Sequence, residues 1–90
     1  MNPLIKYLVE FVGTFIFLSV ILATGEAIPI GIALATAIFF GGKVSGGNFN
    51  PAVSVMMYLK GSLKGADLPM YIVAQVLGGV AALCMHKKMK

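Results

Sequence analysis

SGGNFNPAVS, residues Ser45 to Ser54, stands between two strongly apolar stretches of the chain. Two glycines, two asparagines and a proline within ten residues do not belong in a continuous helix. Gly46 and Gly47 disfavour helix, and Pro51 pushes Asn50 out of the helical region. Lys43 to Asn50 therefore reads as irregular chain. A helix then restarts with Asn50 as N-cap and Pro51 in its first position, and Gly61 stops it. This element, about 51–60, reaches roughly half-way through a bilayer core.

Working outward, three longer apolar segments are expected to span a membrane, at about 4–24, 28–43 and 69–86. Thr24, Gly25 and Glu26 form a tight turn between the first two. Pro29 and Pro69 suit the first turns of new helices. The second span is short, and needs bilayer thinning, snorkelling by Lys43 or continuation by the next segment. Ala74, Gly78 and Ala82 form a small-residue seam on the third, of the kind that lets helices approach closely. The first segment also has the makings of a signal peptide, with Ala23 near a cleavage point. Glu10, near the start of its apolar run, argues against that.

Composition agrees with a membrane protein. Of 90 residues, 59% are hydrophobic and only 11% charged, against ~25% charged in soluble proteins. The net charge is +4, but the lysines sit at the ends of apolar runs, where they reach lipid headgroups. No arginine occurs, so nucleic acid is not an expected partner. One cysteine, Cys84, and one histidine, His86, make neither an internal disulfide nor a metal cluster. Cys84 reads as a small apolar residue near a helix end, with palmitoylation as the alternative. There is no nucleophile–base pair, metal spacing or phosphate loop. Neither enzymatic activity nor a cofactor is expected.

Irregular backbone at membrane depth is tolerated only inside protein or beside a water-filled cavity. The half-helix is apolar nearly all round and lacks the charged face of an interfacial helix. It is expected to fold into the bundle. Its N-terminus then brings about half a positive charge towards the membrane centre. Asn50 adds an amide donor, and the preceding loop adds a row of carbonyls. Water or a hydroxyl solute can exchange hydrogen bonds along such a path, while the dipole opposes cations and protons.

Ser45 to Ser54 resembles the first signature loop of the aquaporin and aquaglyceroporin family, whose hallmark is Asn-Pro-Ala, here Asn50-Pro51-Ala52. Glu10-Phe11-Val12-Gly13-Thr14-Phe15 is similar to the family's first helix, and Ala74-Gln75 with Gly78-Gly79 to its third. The resemblance covers nearly the whole chain. It implies an all-α membrane protein built as an aquaporin-like half repeat, with three transmembrane helices and one re-entrant half-helix. It implies that Asn50, Pro51 and Ala52 line the pore centre, and that Gly46, Gly47, Asn48 and Phe49 supply carbonyls to the conduit. Glu10 is expected to hold backbone N–H groups of the loop, with Gln75 as a second anchor. Ile30 falls where the family places a selectivity-filter residue, and its aliphatic side chain suggests a filter less strict for water. Asn48 stands where many members carry histidine, and reads as a tolerated variation.

Plainer readings exist for the same residues. Asn50 can be a simple cap, Gln75 a simple interhelical hydrogen bond, and Glu10 an interfacial carboxylate. Phe39, Phe40, Phe49 and the methionines read as packing.

The family builds one pore from two inverted halves, and this sequence carries one. Two copies can pair antiparallel, another chain can supply the second half, or the chain is a truncated product, non-conducting and structural in a larger complex. With the N-terminus inside, four lysines (Lys6, Lys43, Lys60, Lys64) face three (Lys87, Lys88, Lys90). Such a weak bias permits both orientations. Passive conduction of water or a small neutral solute such as glycerol, after pairing with a second half, is the expected function.

Overall fold

The computed structural model describes residues 2–89. Four helices follow in order: α1 (Pro3–Thr24), α2 (Ala27–Ser45), α3 (Pro51–Lys60) and α4 (Asp67–Lys88). α1, α2 and α4 are each long and apolar enough to cross a membrane. α3 is not, since ten residues span about 15 Å.

Local chemistry sets most of the helix ends. Asn2 caps α1, its Oδ1 accepting from Leu4 N at 2.9 Å, with Pro3 in the first position. Gly25, at φ 63°, closes α1 by donating its N–H to Ile21 O. The turn is so short that Glu26 N donates to Thr24 Oγ1 before α2 begins.

Two helix bounds differ from the expectation. α2 does not stop near residue 43 but runs to Ser45, because Gly46 is its left-handed C-cap, with φ 91° and an N–H to Gly42 O at 2.8 Å. Gly41 and Gly42 stay helical. At 19 residues, α2 is about 28 Å long and spans a bilayer core without thinning. α4 begins at Asp67 rather than Pro69. Proline within a first turn sacrifices no intrahelical bond, so Pro69 does not mark the start. Asp67 is held instead from α1: Lys6 Nζ pairs with Oδ2 at 2.8 Å and Tyr7 OH donates to Oδ1 at 2.7 Å.

α1 is the central helix. It packs against α2 on one side and α4 on the other, while α3 packs against α4. The α1–α4 contact is close because Gly78 has no side chain. A Cβ there would lie 2.8 Å from Phe11 O and 3.1 Å from Thr14 Cβ. Ala74 and Ala82, one turn to either side, are buried as well. Gly78→Leu is expected to push α1 and α4 apart and destabilise the fold by about 1–3 kcal/mol, the usual cost of overpacking. Reversible unfolding in mixed detergent micelles measures this. An unchanged midpoint would mean the crossing is looser than the geometry implies.

The interior is mostly polar. Glu10, Thr14, Ser45, Asn48, Ser54, Asp67 and Gln75 are buried, whereas Leu4, Leu8, Ile28, Ile32, Phe39, Phe40 and Leu59 lie on the outside. This inverts the arrangement of a soluble domain. Water would not tolerate so much exposed hydrocarbon; lipid does. The chain is an integral, multi-pass, all-α membrane protein.

Candidate functional site

The loop joining α2 to α3 turns sharply. Gly46, Gly47 and Phe49 have φ values of 91°, 65° and 52°. A phenylalanine in the left-handed region costs about 1–2 kcal/mol, so something must hold Phe49 there.

Two things do. The first is packing. The Phe49 ring is 2% exposed and wedged between α1 and α2, against Gly13 and Gly41. A Cβ on Gly13 would overlap the ring, and one on Gly41 would stand 2.8 Å from Val9 Cγ1 and 3.1 Å from the ring's Cζ. Two helical glycines therefore open the slot that the ring fills.

The second is Glu10. Its carboxylate is fully buried and has four donors, two on each oxygen. Oε1 accepts from Phe49 N at 2.8 Å and Gln75 Nε2 at 2.7 Å. Oε2 accepts from Asn48 N at 3.1 Å and Ser45 Oγ at 2.7 Å. Such a carboxylate, surrounded by dipoles, is tolerated without a counter-ion. It ties α1 to the end of α2, to the loop and to α4.

The network continues through Ser54 on α3. Ser54 Oγ accepts from Gln75 Nε2 at 2.8 Å and from Asn48 Nδ2 at 2.9 Å. Tyr71 OH donates to Ser45 O at 2.6 Å, and its ring meets Tyr7 edge-on at 5.9 Å. All four helices thus converge on the loop through hydrogen bonds. Sequence reasoning missed Ser54, Tyr71, Thr14 and the slot glycines. The only hint of the slot was a glycine within each of two apolar helices.

Asn50 is the N-cap of α3. Its Oδ1 accepts from Ala52 N at 2.8 Å, so its amide is oriented with Nδ2 as the free donor. Asn50, Ala52 and Gly46 are exposed, Pro51 half-buried, and Gly47, Asn48 and Phe49 buried. A cavity of about 510 Å³ opens beside the helix tip, lined by Thr14, Phe17, Asn50, Pro51, Gln75 and Gly79 among others. Thr14 Oγ1 and Gln75 Oε1, both buried, have no hydrogen-bond partner among the described residues. A second cavity, about 350 Å³ and apolar, lies between α1 and α2 with Phe49 in its lining. A third, about 190 Å³, lies between the loop and the end of α3. Ile30 lines none of these three. It sits half-buried in the first turn of α2, about 22 Å along the helix from Ser45.

Residues 23–90 match the major intrinsic protein family. The chain is 44% identical over 87 residues to the glycerol uptake facilitator protein-like 6 of Lactiplantibacillus plantarum, covering 86% of this chain and 40% of that protein. It is 40% identical over 92 residues to aquaporin Z of Brucella melitensis, with the same coverage. It is 43% identical over 84 residues to human aquaporin-9, covering 77% of this chain and 28% of that protein. No solved structure matches the chain significantly. The chain spans well under half the length of the relatives it matches, yet the match takes in α2, the loop, α3 and α4 entire, and on it the chain belongs to the major intrinsic protein family.

Proposed function

We propose that this chain forms one half of a passive channel for water or small neutral solutes such as glycerol, completed by a second half from another copy or another chain. One observation carries the reading: α3 begins at the wall of the roughly 510 Å³ cavity, and its capping amide offers a free donor there. Thr14 and Gln75, each with an unpartnered oxygen, line the same cavity and offer a solute further partners.

In this reading Asn50 donates to the passing oxygen, and the α3 N-terminus adds about half a positive charge that repels cations. Pro51 and Ala52 form the tip against which the second half seats. Gly46, Gly47, Asn48 and Phe49 contribute backbone acceptors, with Glu10 and Gln75 as the anchors behind them. Ile30 would act in the filter only if the second half brings a wall up to the start of α2. The names of the relatives, a glycerol facilitator-like protein and aquaporins, support this solute class.

Asn50→Asp tests the proposal. Aspartate caps helices as well as asparagine does, so α3 persists, but the donor becomes a charged acceptor. Water and glycerol flux into proteoliposomes is expected to fall roughly tenfold, the effect of about 1.4 kcal/mol on a barrier. Wild-type swelling no faster than that of empty liposomes, or unaffected by N50D, would instead favour a non-conducting structural subunit. Antiparallel pairing of two copies predicts N-terminal tags on both faces of the membrane. A one-sided signal sends the search to another chain.

A further inference from the structure

The 190 Å³ cavity has the most polar lining of the three. Ser45, Gly46, Asn48, Lys60 and Ser62 face it, with Met57 and Leu63 closing it. It lies between the α2–α3 loop and the C-terminal turn of α3. It has room for several waters or one small solute.

Asn48 makes this a built site. The residue is 6% exposed, and its Nδ2 is committed to Ser54 Oγ at 2.9 Å. Ser54 Oγ is itself fixed by Gln75 Nε2, which is fixed by Glu10. With Nδ2 donating there, the amide turns its oxygen away from Ser54. Its Oδ1, which has no partner among the described residues, is left as an oriented acceptor. That oxygen lies 3.7 Å from where a Cβ on Gly46 would stand, so the glycine keeps the approach to it open. The oxygen opens on a cavity that also holds a lysine and a serine hydroxyl.

The geometry points to a recognition subsite for a small polyol at this mouth of the half-channel: Asn48 Oδ1 accepts from one solute hydroxyl, while Lys60 Nζ donates to a neighbouring solute oxygen. The subsite deepens the solute-channel reading and takes its solute class from it. A histidine at residue 48 would offer one ring nitrogen whose role changes with tautomer. The amide so oriented offers an acceptor at every pH. Asn48 thereby becomes a specificity-determining side chain rather than a neutral variation, and Lys60 its partner from α3.

The test uses the full chain in lipid nanodiscs, with glycerol as the probe and saturation-transfer NMR as the readout. The same preparations are assayed for swelling in proteoliposomes. Wild type is expected to show saturable glycerol binding. Asn48→Leu and Lys60→Met are each expected to weaken it roughly three- to tenfold, the effect of one lost hydrogen bond. Asn48 belongs to the buried network, so N48L can fail by misfolding. Lys60 is exposed and makes no hydrogen bond in that network, so K60M decides the matter by itself. Saturable, Lys60-dependent binding without swelling would reject the channel reading and leave the subsite standing. Swelling without saturable binding, or K60M binding as tightly as wild type, overturns the subsite.

Discussion

Replacing Glu10 by glutamine is expected to unfasten the α2–α3 loop, and with it any conduction of the kind proposed, although the two side chains are nearly the same size. The carboxylate accepts four hydrogen bonds and donates none. A glutamine keeps one oxygen and places an N–H₂ where the other stood. If that group replaces Oε1, it meets the Phe49 N–H and the Gln75 amide, both donors. If it replaces Oε2, the Ser45 hydroxyl can rotate to accept, but the Asn48 N–H stays opposed. Either orientation leaves at least one buried N–H unsatisfied, at about 1–3 kcal/mol, and weakens the remaining charge-assisted bonds. A total near 3 kcal/mol is expected, enough to release a loop already strained at Phe49. Glu10→Asp keeps the charge but is a methylene too short, and should fall between the two. Amide hydrogen exchange at Asn48 and Phe49 reads the effect directly. Faster exchange in E10Q by about two orders of magnitude is expected from that energy. Unchanged protection would show that packing alone holds the loop.

These numbers explain why a charged residue sits in α1 at all. Burying a carboxylate in a membrane span is expensive, and a helix backbone has no spare N–H groups to offer it. The α2–α3 loop has them because its backbone is not helical. The irregular chain needs acceptors and the carboxylate needs donors, so each makes the other tolerable. The polar interior follows from this exchange, and the apolar exterior from the lipid that surrounds it.

How far the sequence alone reaches depends on the range of the interaction. Asn50-Pro51 and Gly61 are local signals, and α3 begins and ends where they stand. The three long apolar runs are equally local, and three spanning helices occupy them. The end of α2 was not legible. Gly41-Gly42 looks like a stop, but Gly41 is there to make room for the Phe49 ring and for Val9, which lies on another helix. The start of α4 was missed for the same reason, since Lys6 and Tyr7 hold Asp67 from about sixty residues away. In the candidate site, Glu10 stood out as a carboxylate in a greasy segment. Its four donors come from three other parts of the chain. Ser54 gave no sign at all: a serine in a helix is unremarkable until two amides are found pointing at it.

The slot for Phe49 yields the second large effect. Gly13→Val should be among the most damaging substitutions in α1, though valine suits a membrane helix and Gly13 bears no chemistry. The added carbons occupy the volume of the Phe49 ring, and neither backbone can retreat, because Glu10, one turn earlier on α1, holds the loop against it. The ring must leave the slot, and with it goes the contact that offsets the left-handed backbone of Phe49. Overpacking of this kind costs about 1–3 kcal/mol, and about 1–2 kcal/mol of backbone strain is no longer offset. A marked fall in stability in detergent is expected, and with it loss of the proposed conduction. A general defect in α1 would look the same, so the decisive measurement is a double-mutant cycle. Phe49→Gly removes the ring and lets the backbone keep its positive φ without strain. By itself it should destabilise by leaving the slot empty. Combined with Gly13→Val, it should recover part of the loss, because the valine then fills space the ring has vacated. A coupling energy of at least about 1 kcal/mol is expected for groups in such direct contact. Strictly additive effects would mean that α1 and the loop do not share this volume, and the slot would lose its place in the account of how the half-helix is aimed.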